Sequence, residues 1–458
     1  MPVFVRSSSM PVPVQPLADW HFRPGALERL TPAFAQAKVL EHPGAIADGA
    51  ITRLQVRALG FPVEWVARHH DVLPGRGFSD TQVRGPFARW SHRHSFLPEG
   101  PASSMLEDRV EYELPGGALG RLLGGGHAEG ELARLFAWRH ARLRHDLHHH
   151  RRFLGEHLRV AVSGSSGMIG RAFVPFLTTA GHDVRRIVRG AASHERGEIA
   201  WDTTTDTFDA RALEGLDAVV HLAGAGVADE RWTPARKEIL RRSRIDSTLA
   251  LAKTLASLRS PPRVLVCASA TGFYGSRGPQ DPVDEAAAPG SGFLAELCQA
   301  WERAADAARA AGIRVVHVRV SMVIGADGGV LRELTGQFRA GVGGPVGSGR
   351  QGVSWIAQDD LLGILRFVMS EPIEGPVNAV APEPTDNRGF ARALGAAVGR
   401  PAIAPVPGMV VKLAFGEMGE RLVLEGSFVR PRVLRERGFE WALPSLEQAC
   451  RFELGRMA

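Results

Sequence analysis

The fold of this chain is decided by residues 158 to 170, which read Leu158-Arg-Val-Ala-Val-Ser-Gly-Ser-Ser-Gly-Met-Ile-Gly170. The short apolar run Val160–Val162 is typical of a buried parallel strand, and it ends at a turn that contains Gly164, Gly167 and Gly170. The residues that follow place apolar side chains at helical spacing. A strand, a glycine-rich turn and a helix in this order predict the first half of a nucleotide-binding βαβ unit.

The three glycines follow the spacing G-x-x-G-x-x-G, which differs from the usual G-x-G-x-x-G. Gly164 allows a tight turn, Gly167 lets the backbone approach a pyrophosphate, and Gly170 lets helix and strand pack closely. The helix N-terminus then offers free N–H groups and a positive dipole end to the phosphates. The cofactor-binding residues predicted here are Gly164, Ser165, Ser166, Gly167, Met168, Ile169 and Gly170.

The composition is that of a globular protein, with 458 residues, 44% hydrophobic and 23% charged. This length predicts two or three domains. The net charge of +6 is carried mainly by arginine and spread along the chain, so we expect no nucleic-acid partner. No uninterrupted apolar stretch of about eighteen residues is present, so we expect no membrane span.

The cysteine pattern indicates a reducing compartment. Cys267, Cys298 and Cys450 lie far apart and form no C-x-x-C motif. They predict neither a disulfide framework nor a zinc site. Because the N-terminus also lacks the apolar core of a signal peptide, we expect a cytoplasmic protein.

The first 150 residues carry a mixed pattern of strands and helices. A strand over residues 3–14 and a helix over 16–30 precede a run of strand-like segments, and a helix over 129–147 closes the region. The strand-like segments cover residues 35–40, 51–59, 63–73, 78–83, 89–96 and 105–114. This order predicts an α+β domain whose curved sheet grips a helix.

Two phrases in this region, Asp80-Thr-Gln-Val-Arg-Gly-Pro-Phe-Ala-Arg-Trp90 and Leu106-Glu-Asp-Arg-Val-Glu-Tyr-Glu-Leu-Pro115, support a resemblance. Together with the element order, they resemble the helix-grip superfamily of START-like and polyketide-cyclase-like domains. The resemblance implies an apolar ligand held in a cavity between sheet and helix.

Histidines are concentrated in this first region. Alternation places Trp90, His92, His94 and Phe96 on one face of a strand. Since no carboxylate completes a ligand set at usable spacing, we interpret these histidines as lining a cavity or a solvated face and predict no metal site. The run His148–His150 is expected in an exposed stretch around the interdomain linker, roughly 148–157.

A second strand of the nucleotide unit ends at Arg189. In enzymes that prefer NAD, an acid near this position holds the ribose 2′-OH. A guanidinium there would pair with a 2′-phosphate, so the sequence favours NADP, with NAD still possible. The alternative is an ordinary surface arginine in an arginine-rich chain.

Two later apolar strands run into small and polar residues. These residues are Leu222, Ala223 and Gly224 after the first strand, and Ser269, Thr271 and Tyr274 after the second. Ligands of doubly wound sheets bind outside the carboxyl ends of the strands. We therefore expect the first group to lie against the adenosine half of the cofactor and the second group to lie near its reactive end.

These landmarks in order resemble the extended short-chain dehydrogenase/reductase family, the NAD-dependent epimerase/dehydratase group. Later phrases resemble its "epimerase family protein" branch, which ends in a C-terminal domain of unknown function. They are Gly343-Gly-Pro-Val-Gly-Ser-Gly-Arg-Gln351, Trp355-Ile-Ala-Gln-Asp-Asp360, Val377-Asn-Ala-Val-Ala-Pro-Glu-Pro-Thr385 and Gly426-Ser-Phe-Val-Arg-Pro-Arg-Val-Leu434. The resemblance covers residues 158 to 455, and some members carry a helix-grip domain in front.

The predicted fold is an α/β Rossmann domain, a doubly wound parallel sheet, with a small C-terminal α/β substrate lobe and a preceding α+β helix-grip domain. The predicted boundaries are 1–150 for the helix-grip domain, 151–157 for the linker, 158–400 for the NAD(P)-binding domain and 401–458 for the family-specific C-terminal domain.

The parent family transfers protons with a Tyr-x-x-x-Lys pair, and this chain has none. The resemblance places the two positions on either Phe293 and Leu297 or Leu294 and Cys298. Neither pair can transfer a proton as the family does. Arg244 could approach the cofactor from the side that the lysine would occupy, or it is an ordinary surface arginine.

Three hydroxyl groups are the candidate catalytic groups. Ser269 approximates the family's catalytic Ser/Thr, and Thr271 competes with it because the loop to Tyr274 has an unusual length. Tyr274 is the second choice for proton transfer, although the resemblance more often makes this tyrosine structural.

Together these features predict an NADP-dependent oxidoreductase or epimerase-like enzyme that acts on a small carbonyl or hydroxyl substrate. Its N-terminal domain would bind a small molecule or a lipid. The alternative is a non-catalytic NADP-binding sensor or scaffold. The missing tyrosine and lysine favour the sensor or scaffold. The glycine loop is compatible with both the enzyme and the sensor, so it does not distinguish between them.

Overall fold

The computed structural model describes residues 1–42, 44–58 and 60–457. The chain divides into two units. The first is built mainly from Met1–Glu156, with Pro175–Gly181 and a short C-terminal segment. The second is built from His157–Val174 and His182–Glu453.

An antiparallel sheet forms the frame of the first unit. Its strands are β1 (Val3–Met10), β2 (Lys38–Glu41), β3 (Ile51–Ala58), β4 (Phe61–Leu73), β5 (Gly77–Arg84), β6 (Arg89–Gly100) and β7 (Ser103–Glu113). They are hydrogen-bonded in the order β1-β7-β6-β5-β4-β3-β2. Along β7 nearly every second residue is buried, which gives the sheet one packed face.

Helices cover that packed face. They are α1 (Val14–Phe22), α2 (Ala26–Arg29) and α3 (Gly117–His150). On α3, Phe136 packs in one cluster with Val110 and Tyr112 of β7, and Leu143 packs in a second cluster with Trp20 of α1. A curved antiparallel sheet packed against a long helix confirms the predicted helix-grip arrangement.

Three local predictions about the first unit are wrong. The strand predicted over residues 3–14 ends at Met10, and the helix predicted over 16–30 is interrupted by Pro24 and Gly25, the latter in the left-handed conformation. The histidine run is not an exposed linker, because α3 continues to His150 and buries His149 and His150.

A parallel sheet forms the frame of the second unit. The strands are β8 (Arg159–Ser163), β9 (Asp183–Arg189), β10 (Glu198–Asp202), β11 (Thr207–Phe208), β12 (Ala218–His221), β13 (Val264–Ala270), β14 (Arg314–Val320), β15 (Met322–Ile324), β16 (Gly352–Val353), β17 (Trp355–Ala357), β18 (Gly375–Ala379) and β19 (Thr385–Asp386). Eight of them form one sheet in the order β11-β10-β9-β8-β12-β13-β14-β18, which is parallel except between β10 and β11. The remaining strands form two ribbons, β15 with β17 and β16 with β19.

The helices of the second unit complete a doubly wound fold. They are α4 (Met168–Thr179), α5 (Ala210–Leu213), α6 (Pro234–Ala256), α7 (Phe293–Arg303), α8 (Asp306–Ala310), α9 (Gly329–Arg339), α10 (Gln358–Ser370), α11 (Asn387–Val398), α12 (Gly408–Gly419), α13 (Arg432–Glu436) and α14 (Leu446–Glu453). All four residues of β12 are buried, as expected for a central strand covered on both faces. The strand order reverses between β8 and β12, which creates the crevice where such sheets bind ligands.

Two further expectations concern the whole chain. Among the described residues, no helix is long and apolar enough to cross a membrane. The three cysteines, Cys267, Cys298 and Cys450, are buried and unpaired, which confirms that they form no disulfide.

Candidate functional site

The glycine-rich loop after β8 touches the backbone of the loop after β12. Gly164 has φ +68, in the left-handed region that favours glycine. A Cβ atom on Gly164 would lie 2.7 Å from the carbonyl carbon of Leu222 and 2.9 Å from the amide nitrogen of Ala223. Any side chain at this position would therefore push the two loops apart at the point where the strand order reverses.

The other two glycines shape the start of α4. Gly167 donates its N–H to the carbonyl of Gly164 at 3.0 Å, which closes the turn directly before Met168 begins the helix. A Cβ atom on Gly170 would lie 2.3 Å from the carbonyl oxygen of Gly164, so helix and loop pack without an intervening side chain. Ser166 and Gly167 are exposed, which leaves the N-terminal turn of α4 accessible to an anion.

The other predicted loop residues lie around this turn. Ser165 packs with its Cα against Gly170, and the carbonyl of Met168 accepts a long hydrogen bond from Gln358 of α10 at 3.4 Å. Ser165, Met168 and Ile169 are all partly buried. Contacts inside the loop and the hydrogen bond from α10 thus fix its conformation, while Ser166 and Gly167 remain exposed to solvent.

His221, which sequence reasoning did not select, fixes the strand end that carries Leu222. One hydrogen bond joins its Nδ1 to Ser163 Oγ at 2.7 Å, and another joins its Nε2 to Ser247 Oγ at 3.3 Å. Ser163 Oγ also accepts the N–H of Leu222 at 3.2 Å. His221 therefore connects β8, β12 and α6. A histidine ending an otherwise apolar strand was the only sequence signal for this role.

Burial lowers the pKa of His221 to about 4, so the folded protein keeps this imidazole neutral at pH values where an unfolded chain protonates it. We therefore expect the free energy of unfolding to fall as the pH drops from 6.5 towards 4, with His221 accounting for a loss of about 3 kcal/mol. The measurement is urea unfolding at pH 7 and pH 4.5. His221→Gln removes the titrating group and should show a smaller fall.

The exposed His157 offers a matched control, because His157→Gln removes a histidine from the same unit without removing a buried one. That variant should lose as much stability on acidification as the unmodified protein. An equally large fall in His221→Gln would contradict the assignment of the acid sensitivity to His221.

Arg189 is the last residue of β9 and is exposed. Its neighbours are engaged, since Arg186 pairs with Glu198 at 2.7 Å and Arg185 donates to the carbonyl of Ala212 at 3.2 Å. Within the described residues, the Arg189 side chain makes no hydrogen bond or ion pair. Its guanidinium is therefore uncommitted at the carboxyl edge of the sheet.

Arg244 lies on α6 beside the strand end at Gly224. It donates to the carbonyls of Ala225 at 2.8 Å and Leu240 at 3.3 Å, and its guanidinium stacks over the ring of Trp301 on α7 at 5.1 Å. A Cβ on Gly224 would lie 3.4 Å from its Cζ. This partly buried position argues against an ordinary surface arginine and places a cation between the strand end at Gly224 and α7.

Ser269 points into a buried ion pair. Its Oγ donates to Glu302 Oε1 at 2.7 Å, and Arg319 donates to both carboxylate oxygens of Glu302 at 2.8 Å. Ser269 is almost fully buried. Its hydroxyl proton is committed to a structural carboxylate, which disfavours proton transfer to a substrate.

Tyr274 belongs to the same network. Its side chain is 0% exposed, and its hydroxyl donates to Asn378 Oδ1 at 2.7 Å and accepts from Arg319 at 2.9 Å. Asn378 in turn donates its backbone N–H to Glu285 at 2.9 Å. Burial raises the pKa of Tyr274 to about 12, even though Arg319 lies beside it. These contacts favour a structural role for Tyr274.

Thr271 differs from Ser269 and Tyr274 in the exposure and bonding of its hydroxyl group. It begins the short 3₁₀ helix Thr271–Tyr274 at the carboxyl end of β13 and is partly exposed. Its hydroxyl has no hydrogen-bond partner within the part of the chain that the structure describes. Of the three candidate hydroxyls, only Thr271 remains available to an incoming ligand.

The residues at the positions of the family's Tyr and Lys also have apolar surroundings in the structure. Phe293, Leu297 and Cys298 are buried, and Phe293 packs edge-on against Trp232 at 5.1 Å. Leu294 lies against Gly272, the residue directly after Thr271. A Cβ atom added to Gly272 would lie 3.3 Å from the Cβ atom of Leu294. Burial raises the pKa of Cys298 to about 12, so this thiol supplies no proton carrier either.

Most of the site residues predicted from the sequence thus fall into two groups in the structure. The loop residues, Leu222–Gly224 and Arg244 meet around the β8 and β12 strand ends, whereas Ser269 and Tyr274 turn into a buried network whose other members the sequence did not suggest. Those members, Glu302, Arg319, Asn378 and Glu285, are charged or polar residues at positions that read as ordinary helix, strand and loop. Only the tertiary structure pairs them.

The first unit contains one polar cluster that contradicts a sequence interpretation. Two carboxylates, Asp80 and Asp108, lie against the histidines: His92 Nδ1 is 3.2 Å from Asp80, and His92 Nε2 is 3.2 Å from Asp108. His94 and His140 also contact Asp108, at 2.6 and 2.8 Å. The sequence found no carboxylate at a spacing that completes a ligand set with these histidines, but cross-strand pairing brings Asp80 and Asp108 beside them.

Three family profiles match consecutive parts of the chain. The profile described as Polyketide cyclase / dehydrase and lipid transport matches residues 11–136. The NAD dependent epimerase/dehydratase family matches residues 160–380, and the Domain of unknown function (DUF1731) matches residues 406–453.

Relatives and solved structures extend these matches. An epimerase family protein of Mycobacterium tuberculosis is 39% identical over 298 residues, which is 65% of this chain and 98% of that protein. The nucleoside-diphosphate sugar epimerase from Corynebacterium glutamicum has a solved structure similar to this chain, with a TM-score of 0.81 and 31% identity over 99% of this chain and 90% of that one.

The human epimerase family protein SDR39U1 was solved with NADPH. It is 33% identical to this chain, with a TM-score of 0.60, and the match covers 66% of this chain and 100% of that one. The order of the profiles, the loop geometry at the β8–β12 crevice and these relatives agree. This chain belongs to the NAD dependent epimerase/dehydratase family, in the group named epimerase family proteins.

Proposed function

We propose that the second unit binds NADPH and acts as an oxidoreductase or epimerase-like enzyme on a small carbonyl or hydroxyl substrate. The observation that carries this proposal is the close backbone contact between Gly164 and Leu222 at the strand reversal. It leaves a crevice walled by backbone, with the exposed first turn of α4 at its rim. Such a crevice suits a pyrophosphate, because the free N–H groups and the positive dipole end of the first turn of α4 lie at its rim.

Arg189 supports the choice of NADPH over NADH. Its guanidinium is exposed at the carboxyl end of β9, next to the glycine loop, and it is uncommitted among the described residues. A guanidinium there would pair with a 2′-phosphate, which only NADP(H) carries. The NADPH found with human SDR39U1 agrees with this assignment.

We expect Arg189→Ala to weaken NADPH binding roughly 10- to 100-fold, because a charge-assisted hydrogen bond contributes about 1.5–3 kcal/mol. NADH binding should stay unchanged, since NADH has no 2′-phosphate. The measurement is a titration of the purified protein followed by nicotinamide fluorescence.

Arg259 provides the matched control for that titration. It is also exposed, and it lies in the connection between α6 and β13, at the amino end of the strands. Arg259→Ala removes the same charge and should bind both nucleotides like the unmodified protein. An equal loss of affinity in the two variants, or an equal loss for NADH, would contradict the 2′-phosphate assignment and leave only a general charge effect.

The chemical step would rest on this chain's own groups in the following way. When bound, NADPH would supply a hydride to a carbonyl carbon, and NADP⁺ would accept one from a hydroxyl-bearing carbon. The first turn of α4 would hold the pyrophosphate, and Arg244 would place a cation on the side where the family lysine would stand. We assign Thr271 as the group that hydrogen-bonds the substrate oxygen, because Ser269 and Tyr274 are committed to Glu302 and Asn378.

A second candidate function is a non-catalytic NADPH-binding sensor. The observation that favours it is the apolar character of Phe293, Leu294, Leu297 and Cys298, which leaves no proton carrier at the family positions. The two functions are separated by incubating the protein with NADPH and a panel of aldehydes and ketones, and with NADP⁺ and a panel of alcohols and nucleotide sugars, while the nicotinamide absorbance and the formation of epimers are followed. Turnover that falls in Thr271→Val, with NADPH affinity retained, supports the enzyme. Tight NADPH binding with neither a net change of the nicotinamide nor epimer formation with any substrate supports the sensor.

For the first unit we propose binding of an apolar small molecule between its sheet and α3. The match to polyketide cyclase and lipid transport proteins supports this ligand class. We also propose a cytoplasmic location, which the three unpaired, buried cysteines support. Cell fractionation tests the location, and extraction of the purified protein followed by mass spectrometry tests the ligand.

A further inference from the structure

The strand register of the first unit brings three metal-ligating side chains to one face. Asp80 on β5 is the direct cross-strand partner of His92 on β6, and His94 follows two residues later on the same face. One potential ligand atom from each of the three side chains lies within 4.8 Å of the other two. Neither the proposed nucleotide site nor the family assignment uses this cluster.

The distances inside the cluster suit a bound ion. His92 Nδ1 and Asp80 Oδ2 lie 3.2 Å apart. Two ligand atoms on one tetrahedral metal ion, each bonded at about 2.0–2.1 Å, are separated by roughly 3.3 Å. This pair therefore already has the separation of neighbouring ligands.

Asp108 on β7 lies against both imidazoles and hydrogen-bonds that of His92. Its Oδ1 lies 3.2 Å from His92 Nε2 and 2.6 Å from His94 Nδ1, while its Oδ2 lies 2.8 Å from His140 Nε2 on α3. Each ligand histidine thus uses one ring nitrogen towards Asp108, and the other nitrogen remains for a metal ion. Histidines that bind metals in proteins are usually held by a carboxylate in this way, which fixes the ring and the tautomer.

The cluster is enclosed but remains accessible to an ion. The side chains of His92 and Asp108 are 4% and 3% exposed, whereas those of Asp80 and His94 keep 13% and 11% of their exposure. Two carboxylates, Asp80 and Asp108, contact His92 in this enclosed cluster, and the ring centroid of Phe78 lies 4.3 Å from that of His94. Buried charges require compensation, which a dication bound between these carboxylates and imidazoles would supply.

We propose that Asp80, His92 and His94 bind a divalent transition-metal ion of the Zn²⁺, Co²⁺ or Fe²⁺ type, with Asp108 as the positioning carboxylate. Two imidazoles and one carboxylate suit these ions, whereas Mg²⁺ and Ca²⁺ prefer oxygen ligands alone. Three protein ligands leave at least one coordination position open. An oxygen atom of water or of a small molecule bound in the first unit would complete the coordination.

The test uses the full-length protein, stripped with a chelator and titrated with Co²⁺ while the visible absorption is followed. We expect one Co²⁺ per chain with d–d bands of a nitrogen- and oxygen-ligated ion, and displacement of those bands by Zn²⁺. Asp80→Asn and His94→Gln should weaken binding at least about 100-fold. Asp108→Asn should weaken it roughly 10- to 100-fold, the usual effect of losing an orienting carboxylate.

His69→Gln is the matched control. His69 is also buried in this unit, on β4, where it bonds Thr52 at 3.1 Å, and it lies outside the three-ligand group. The control should keep the Co²⁺ spectrum and affinity. The spectrum of the unmodified protein decides the case even if a ligand variant fails to fold.

Two results would overturn the proposal. One is the absence of d–d bands in the unmodified protein at millimolar Co²⁺. The other is Co²⁺ binding that persists unchanged in folded Asp80→Asn and His94→Gln, which would assign the ion to surface histidines. In either case the carboxylates would be balanced without a metal: hydrogen bonds to Asp108 and Asp80 outweigh the effect of burial and raise the pKa of His92 to about 9.

Discussion

Gly164→Ala should weaken NADPH binding at least about 100-fold, a loss of about 2.8 kcal/mol or more. The new methyl group would meet the backbone of Leu222 and Ala223 at under 3 Å, and backbone cannot rotate away as a side chain can. The loop after β8 and the loop after β12 must then separate, which displaces the first turn of α4 from the pyrophosphate. Nicotinamide fluorescence measures the affinity, and circular dichroism verifies the fold.

Gly215 separates the effect of close approach from that of backbone strain. It has the same φ, +68, but an added Cβ would meet only the Arg159 side chain at 3.6 Å, an ordinary contact. Gly215→Ala should therefore lose some stability, about 1–2 kcal/mol, and keep its NADPH affinity. Should Gly164→Ala bind NADPH as well as Gly215→Ala does, the crevice proposed here would not be the nucleotide site.

Glu302→Gln should lower the free energy of unfolding by about 3–5 kcal/mol, because it leaves the guanidinium of Arg319 buried without its counter-ion. The two side chains are 13% and 4% exposed, and both carboxylate oxygens accept from Arg319 at 2.8 Å. The Gln side chain has the same shape and can still accept from Ser269, so the loss reports the charge rather than a cavity. Urea unfolding gives the value.

An exposed pair with the same geometry is the control. Arg451 donates to Glu447 at 2.8 Å, the distance found in the buried pair, but these side chains are 40% and 45% exposed. Glu447→Gln should change the free energy of unfolding by less than about 1 kcal/mol. Similar losses in the two variants would mean that burial does not strengthen the Glu302–Arg319 pair, and the structural role given to Ser269 and Tyr274 would lose its basis.

The unfolding measurements on Glu302→Gln and Glu447→Gln also test which hydroxyl group is available for catalysis. If the network around Glu302 is structural, Ser269 and Tyr274 stabilise the carboxyl ends of β13 and β14, and Thr271 is the hydroxyl left for a substrate. A family member that has lost the tyrosine and lysine pair would then bind substrate through a hydroxyl and a cation, Thr271 and Arg244. The apolar surface of Leu294 would take the place of the phenol.

Much of the architecture could be read from local patterns. The strand, glycine turn and helix at residues 158–179 are dictated by neighbours in sequence, because Gly164 needs a left-handed conformation and the strand needs apolar residues on both faces. The alternation in Trp90–Phe96 likewise predicts a strand with one packed face, which β6 confirms. Boundaries were less well predicted, as the full length of α3 shows.

The sequence by itself determined the two folds, the glycine loop, the absence of the Tyr-x-x-x-Lys pair and the arginine at the end of β9, because each depends on residue type and local spacing. Only the tertiary structure decided the partners of the polar groups. Ser269 and Glu302 are 33 residues apart, Tyr274 and Asn378 are 104 apart, and Asp108 and His140 are 32 apart. Such pairs form through strand register and helix packing, which no local period encodes, and buried polar atoms bond whichever partner that packing supplies.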